Sequence, residues 1–174
     1  MKNTNREVLL AKEDIDKRVQ ELADMISLDY QGKELIVIGV LKGAFVFTAD
    51  LIRSLHIPCV VDFVRLASYG SKMISSQEIV ITKDIETSIS NRDVLIVEDI
   101  VDTGLTISYL IERLKDRNPR SLKVCTFLDK KGRRKVPFAA DYVGFQIDNR
   151  FVVGYGLDFN ETFRFLPDVC VIEE

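Results

Sequence analysis

Residues 94–106 of this chain read VLIVEDIVDTGLT, an apolar run that passes into acidic residues and then into a turn containing glycine. Val94 to Val97 has the continuous apolar character of a buried parallel strand. Apolar residues then recur at helical spacing over residues 105–114. The amino terminus of a helix offers unpaired amides and a positive dipole end, and Gly104 permits close backbone approach. The stretch therefore predicts a strand, a phosphate-binding turn and a helix.

Three acidic residues accompany the predicted turn. Glu98 and Asp99 come where the apolar run ends, and Asp102 precedes the Thr-Gly-Leu-Thr sequence. Such carboxylates suit ribose hydroxyls and magnesium, which prefers oxygen ligands. An acidic pair at a strand end is also compatible with a solvated surface, but its combination with this turn favours a sugar-phosphate site. No lysine follows Gly104, so the turn is not a P-loop for nucleotide triphosphates.

Strands and helices alternate along most of the chain. Helical patterns cover residues 13–26, 44–55 and 105–114, and strand-like runs cover 35–40, 59–64, 78–82, 94–97 and 122–128. This order predicts an α/β fold with a mainly parallel, doubly wound sheet flanked by helices. Ligands of such sheets bind beyond the carboxyl ends of the strands. Short β-like pieces at 142–145, 151–155 and 169–172 predict a small C-terminal hood and a return to the core.

Length and composition fit one domain over residues 1–174, since 47% of the residues are hydrophobic and 29% are charged. We expect a core of about 10–128 with the C-terminal return, a hood of about 129–165 and a mobile lid of about 67–78. The formal charge of −3 predicts neither a nucleic-acid nor a membrane partner. Three separated cysteines in apolar surroundings favour a reducing, cytoplasmic location.

The stretch 94–106 resembles the phosphoribosyl pyrophosphate signature of the type I phosphoribosyltransferases. That signature is an apolar strand, two acids, two apolar residues, Asp, Thr or Ser, Gly, any residue and Thr, and every position matches. Over nearly the whole chain the resemblance is to hypoxanthine-guanine phosphoribosyltransferases. It implies purine salvage by a pentosyltransferase that moves the phosphoribosyl group from phosphoribosyl pyrophosphate to N9 of hypoxanthine or guanine. The products are IMP or GMP and pyrophosphate, the cofactor is Mg²⁺, and the enzyme is a homodimer or homotetramer.

The resemblance also implies roles for individual residues. The phosphoribosyl group and its 5′-phosphate are assigned to Glu98, Asp99, Asp102, Thr103, Gly104, Leu105 and Thr106. Asp102 is implied as the catalytic base that takes the N7 proton of the purine. The pyrophosphate residues are Leu41, Lys42, Gly43 and Arg164, and the Leu41–Lys42 peptide of this loop can be cis. Ser68 and Tyr69 are implied as the part of the lid that closes over the reaction centre.

The base and the metal are assigned to a further group of residues. The purine residues are Lys130, Phe151, Val152 and Asp158, and the metal residues are Glu98, Asp99 and Asp158. A permanent donor such as Lys130 suits the 6-oxo group of hypoxanthine or guanine, whereas adenine presents an amino group there. Because Lys131 follows directly, the sequence leaves open which of the two lysines contacts the base.

Three alternatives remain open from the sequence. A regulator with this fold would sense a nucleotide or phosphoribosyl pyrophosphate without catalysis, but it would not need a purine pocket with a lid. An enzyme for adenine or a pyrimidine would not need Lys130. A flavodoxin-like receiver would need a phosphoacceptor Asp and a Lys at other strand ends. The ranking of hypoxanthine, guanine and xanthine does not follow from these residues.

Overall fold

A computed structural model describes residues 6–69 and 78–172 of the chain. The strands are β1 (Arg6–Leu10), β2 (Leu35–Leu41), β3 (Cys59–Tyr69), β4 (Glu78–Lys83), β5 (Asp93–Val101), β6 (Ser121–Asp129), β7 (Tyr142–Gln146), β8 (Val152–Val153) and β9 (Val169–Ile172). The helices are α1 (Lys12–Asp29), α2 (Phe45–Ser54) and α3 (Leu105–Lys115), with a 3₁₀ turn at Lys131–Arg133.

The central sheet has six strands in the order β4-β3-β2-β5-β6-β7. All neighbours are parallel except β4, which pairs antiparallel with β3. The predicted mainly parallel α/β sheet is therefore confirmed. Because β2, β5 and β6 run in the same direction, Leu41, Val101 and Asp129 end at one edge of the sheet, where a ligand site is expected.

Helices cover both faces of this sheet. Leu35 and Val37 of β2 face the cluster that includes α1 and α2, while Ile36 and Ile38 face the cluster that includes α3. Alternate residues of a strand point to opposite faces, so the continuous apolar runs are explained by burial on both sides. Among the helices in the described part of the chain, none is both long and apolar enough to cross a membrane.

A second sheet of three strands lies outside the central one, in the order β1-β9-β8. One of its strands, β8, lies in the segment that was expected to form the hood. Val169–Ile172 pairs with β1 and β8 and not with the central sheet, but Val169 and Val171 pack in the core cluster that includes α1 and α2. The piece that joins the central sheet is Tyr142–Gln146, which pairs parallel with β6. The division into core, hood and lid remains a prediction.

Strand β5 is longer than its apolar run and includes Glu98 and Asp99. Its pairing with β2 ends at Val97, but its pairing with β6 continues to Val101. The two acids therefore lie within the strand and not after it. They nevertheless lie near the predicted edge, because the pairing of β2 with β5 ends before their level.

Candidate active site

The predicted phosphate turn joins β5 to α3. Gly104 is the N-cap residue of the helix with φ of 82°, a left-handed conformation that glycine adopts without strain. Its carbonyl accepts a hydrogen bond from the Ser108 amide at 3.0 Å, which is the first hydrogen bond of the helix. A cavity of about 90 Å³ opens beside the turn. Its lining residues are Glu98, Ile100, Val101, Asp102, Thr103, Gly104, Thr106 and Ile107.

Glu98 and Asp99 are two carboxylates with little access to water. Burial raises the pKa of Glu98 well above its usual value, and the negative charge of Asp99 raises it further. Burial also raises the pKa of Asp99, although the positive charge of Arg164 acts in the opposite direction. The Asp99 amide donates to the Glu98 carboxylate at 3.1 Å, and the Ile100 amide donates to the Asp99 carboxylate at 2.8 Å. A cation bound beside Glu98 and Asp99 would therefore stabilise their ionised forms.

The predicted pyrophosphate loop packs directly on this acidic pair. A Cβ atom added to Gly43 would collide with the carboxylate of Asp99, so any other residue there would displace that carboxylate. The peptide bond between Leu41 and Lys42 is cis. Lys42 is exposed, and its Nζ donates to Oε2 of Glu161 at 2.8 Å. The loop is thereby connected to the C-terminal segment, 119 residues away along the chain.

Arg164 organises the C-terminal side of the site. Its Nη2 lies 2.7 Å from Oδ1 of Asp158 and 3.3 Å from Oε2 of Glu161, and its Nη1 donates to the Gly156 carbonyl at 2.8 Å. The Glu161 amide donates to Asp158 Oδ2 at 2.8 Å. Hydrogen bonds from Lys42 and then Arg164 lower the pKa of Glu161. The acids on this side are therefore neutralised by cations of the protein.

The predicted purine residues lie near the carboxyl end of β6. Lys130 is only 7% exposed, and its Nζ donates to the Arg150 carbonyl at 2.7 Å, next to Phe151. Burial lowers the pKa of Lys130, and the negative charge of Asp102 opposes that change. Phe151 is exposed and contacts Phe159 edge to face at 5.5 Å between ring centroids. Lys131 is exposed, and both lysines line the same cavity, so which of them contacts the base stays open.

Asp102 lies between two cavities. It lines the small cavity at the phosphate turn, and its Oδ2 lies 3.2 Å from Nη1 of Arg133. Arg133 lines a second cavity of about 260 Å³, together with Lys130. No hydrogen-bond donor among the described residues reaches the other oxygen, Oδ1, which is buried. The carboxylate of Asp102 therefore has one oxygen paired with an arginine and one buried oxygen without a donor among the described residues.

The structure gives less information on two groups of predicted residues, those of the lid and those of the metal site. Ser68 and Tyr69 are the last residues of β3, and residues 70–77 of the predicted lid lie outside the described residues. The predicted metal residues Glu98, Asp99 and Asp158 do not form a ready-made cluster. Within the described ranges, the structure contains no group of three or more His, Cys, Asp or Glu side chains arranged to hold a metal ion.

Comparisons with known proteins agree with this geometry. Residues 5–160 match the family model described as phosphoribosyl transferase domain. A hypoxanthine-guanine phosphoribosyltransferase of Bacillus subtilis is 46% identical over 99% of this chain and 96% of its own length. The chain belongs to the hypoxanthine-guanine phosphoribosyltransferase family.

Solved structures of this family superpose closely on the chain. A Bacillus anthracis hypoxanthine-guanine phosphoribosyltransferase with a HEPES molecule in its active site has a TM-score of 0.92 at 43% identity, covering 96% of this chain and 98% of that one. A Trypanosoma cruzi hypoxanthine phosphoribosyl transferase, studied for the role of its C-terminal region in oligomeric state and activity, has a TM-score of 0.91. It is 44% identical, covering 96% of this chain and 91% of that one. The predicted phosphoribosyltransferase fold is confirmed.

Arg134 is a residue of this phosphoribosyltransferase site that the sequence analysis did not single out. Its guanidinium donates to the carbonyls of Val101 at 3.0 Å and Asp102 at 2.6 Å, and it forms an ion pair with the buried carboxylate of Asp129. It thus joins the end of β6 to the start of the phosphate turn. The sequence carries no signal for this role, because Arg134 lies in the basic run KKGRRK, which is typical of a solvated turn.

Proposed function

We propose that this chain catalyses the transfer of the phosphoribosyl group from phosphoribosyl pyrophosphate to N9 of hypoxanthine or guanine, as a purine-salvage enzyme. Membership of the hypoxanthine-guanine phosphoribosyltransferase family supports the reaction class. The observation that carries the proposal is the position of Asp102, a half-buried carboxylate that lines the cavity at the turn between β5 and α3. This carboxylate adjoins both the phosphate cavity and, through Arg133, the cavity that contains Lys130.

The proposed reaction uses the residues at both ends of the sugar. Backbone amides of residues 102–106 and the amino terminus of α3 would hold the 5′-phosphate, with Thr103 and Thr106 as further donors. Amides of residues 41–43, with Lys42 and Arg164, would face the pyrophosphate. Fixing both ends positions the anomeric carbon for attack and reduces the entropy lost in reaching the transition state.

Proton transfer is assigned to Asp102. As N9 bonds to the anomeric carbon, the bond from that carbon to the pyrophosphate oxygen breaks and its electron pair leaves with pyrophosphate. The carboxylate of Asp102 takes the N7 proton, as expected for general-base catalysis. Phe151 would stack on the purine, the Val152 backbone would meet its edge, and Lys130 would donate to the 6-oxo group. Ser68 and Tyr69 of the lid would exclude water from the reacting centre.

Magnesium fits the acidic residues of the site. Glu98 and Asp99 are adjacent hard-oxygen donors, and burial together with their mutual repulsion raises the pKa of Glu98. Mg²⁺ is usually bound by one or two carboxylates together with substrate phosphates and water, so a three-carboxylate cluster is not required. We assign Glu98 and Asp99, with Asp158 from the opposite side, as its protein ligands, directly or through water. When bound, the ion would supply positive charge to the departing pyrophosphate.

We also propose a homodimer or homotetramer in the cytoplasm. The exposed side chains of Phe45 and Phe165 line a groove of about 720 Å³ between α1, α2 and the C-terminal segment. Exposed aromatic residues on one surface favour contact with a second protein surface. The three cysteines are unpaired, which supports a reducing compartment.

A single assay tests the proposed function. Purified chain is incubated with Mg²⁺, phosphoribosyl pyrophosphate and hypoxanthine, guanine, xanthine, adenine or a pyrimidine in turn, and pyrophosphate and nucleotide are measured. We expect both products with hypoxanthine or guanine and neither with adenine. Binding of phosphoribosyl pyrophosphate without release of pyrophosphate would instead indicate a non-catalytic sensor. No affinity for phosphoribosyl pyrophosphate at all would exclude both functions.

A further inference from the structure

Glu161 occupies an unusual position among the residues proposed to bind pyrophosphate. One of its carboxylate oxygens, Oε2, lies 2.8 Å from Lys42 Nζ and 3.3 Å from Arg164 Nη2. These are the two cationic side chains that the proposed function assigns to pyrophosphate. A single anionic oxygen between two cations reproduces the arrangement in which a phosphoryl oxygen would lie.

We propose that Glu161 is an internal competitor of pyrophosphate, whose carboxylate holds Lys42 and Arg164 in the free protein and must withdraw when pyrophosphate binds. This inference rests on the proposed function, because it takes Lys42 and Arg164 as the pyrophosphate cations. Glu161 is then a residue that sets the affinity of the site for its diphosphate ligand, and it does not touch the reacting atoms. Its effect would be to weaken pyrophosphate binding and so to favour product release.

The local structure permits such a withdrawal. The side chain of Glu161 is 65% exposed, so its carboxylate can rotate into solvent without the cost of moving a buried charge. The backbone is held independently, since the Glu161 amide donates to Asp158 Oδ2 and Asp158 in turn pairs with Arg164. Asn160 and Glu161 both have positive φ, at 51° and 61°. Non-glycine residues in this conformation are concentrated at functional sites.

Two roles for Glu161 predict opposite results. If the carboxylate merely positions Lys42 and Arg164, its removal leaves both side chains free and pyrophosphate binds more weakly. If the carboxylate competes, its removal leaves both cations available and eliminates repulsion between Glu161 and the incoming anion. Ion pairs of an exposed carboxylate are individually weak, so the competitive role predicts a Kd for pyrophosphate that falls about three- to ten-fold.

The experiment is isothermal titration of the full chain with inorganic pyrophosphate in the presence of Mg²⁺, for the unaltered chain, Glu161→Gln and Glu161→Ala. The matched control is Glu34→Gln, which also removes one exposed carboxylate paired with an arginine, Arg92. Glu34 precedes the amino end of β2, at the opposite end of that strand from the site. We expect tighter binding in both Glu161 variants, a smaller difference at high salt, and no change in Glu34→Gln.

Steady-state kinetics provide a second readout. Tighter pyrophosphate binding predicts a lower inhibition constant for pyrophosphate in Glu161→Gln, without a gain in kcat. Equal or weaker pyrophosphate binding in both Glu161 variants, with thermal unfolding like that of the unaltered chain, would overturn the inference alone. Absence of pyrophosphate binding by the unaltered chain would instead contradict the proposed pyrophosphate site. The two failures are therefore distinguishable.

Discussion

The two acidic stretches of the site, residues 98–102 and 158–161, hold their carboxylates under opposite electrostatic conditions. Glu98 is buried beside Asp99, and its pKa is raised by burial and by that second negative charge. Glu161 is exposed between Lys42 and Arg164, and hydrogen bonds to these cations lower its pKa. Within the described residues, Glu98 and Asp99 of the first stretch form no ion pair, so a substrate-bound cation can supply the positive charge that they lack. In the second stretch, Glu161 already pairs with Lys42 and Arg164, and a substrate anion can bind these two cations in its place.

The largest expected effect tests Asp102, which ends the first stretch. Replacing Asp102 with Asn keeps the size of the side chain but removes the proton acceptor. We expect kcat to fall about 10²- to 10⁴-fold, the usual contribution of a general base, while the affinity for phosphoribosyl pyrophosphate stays close to that of the unaltered chain. Single-turnover kinetics and direct titration separate the two quantities. Unchanged turnover would refute the assignment and remove the functional distinction between the stretches.

The next largest effect is on the free energy of unfolding and concerns Arg134, which contacts the end of the first stretch. Arg134 holds the carbonyls of Val101 and Asp102, and it neutralises Asp129, whose side chain is 1% exposed. Arg134→Met leaves that carboxylate buried without a cation, so we expect the free energy of unfolding to fall by about 3–5 kcal/mol. Denaturant unfolding measures this change.

A neighbouring arginine supplies the control for that measurement. Arg133 pairs with Asp102, but its side chain is 49% exposed, so Arg133→Met should change the free energy of unfolding by no more than about 1 kcal/mol. Equal losses in the two variants would contradict the claim that the support comes from the buried ion pair.

The same contrast explains what could be predicted from the sequence. Residues 94–106 are contiguous, so the strand, the turn and the helix were all predicted from local pattern and are confirmed. Phosphate binding by the turn stays a prediction. The pairing of Lys42 with Glu161 joins residues 119 positions apart, and no local pattern indicates it. Strand β1 was missed for a related reason. It begins with exposed residues, and its strand conformation depends on pairing with β9 at the other end of the chain.

The smallest expected effect compares Glu98 and Glu161 directly, because their pKa values are displaced in opposite directions. A raised pKa means that the folded state binds the proton more tightly than the unfolded state, so ionisation of Glu98 costs stability as pH rises above its ordinary value. Glu98→Gln should therefore unfold at a higher temperature than the unaltered chain at pH 8, and this difference should vanish near pH 4. The same variant should bind Mg²⁺ and phosphoribosyl pyrophosphate more weakly.

Glu161→Gln should show the reverse dependence on pH. A lowered pKa gives stability that is present above the ordinary value and is lost as pH falls through the folded-state value, so this variant should be slightly less stable than the unaltered chain at pH 8. Thermal unfolding of both variants across this pH range measures the two signs in one experiment. If both substitutions changed the unfolding temperature in the same direction, the proposed contrast would be wrong. That contrast is between Glu98, which has no cation beside it among the described residues, and Glu161, which is neutralised by Lys42 and Arg164. Opposite signs would mean that the ionised carboxylates of the first stretch destabilise the free protein, and that a cation bound beside them removes this destabilisation.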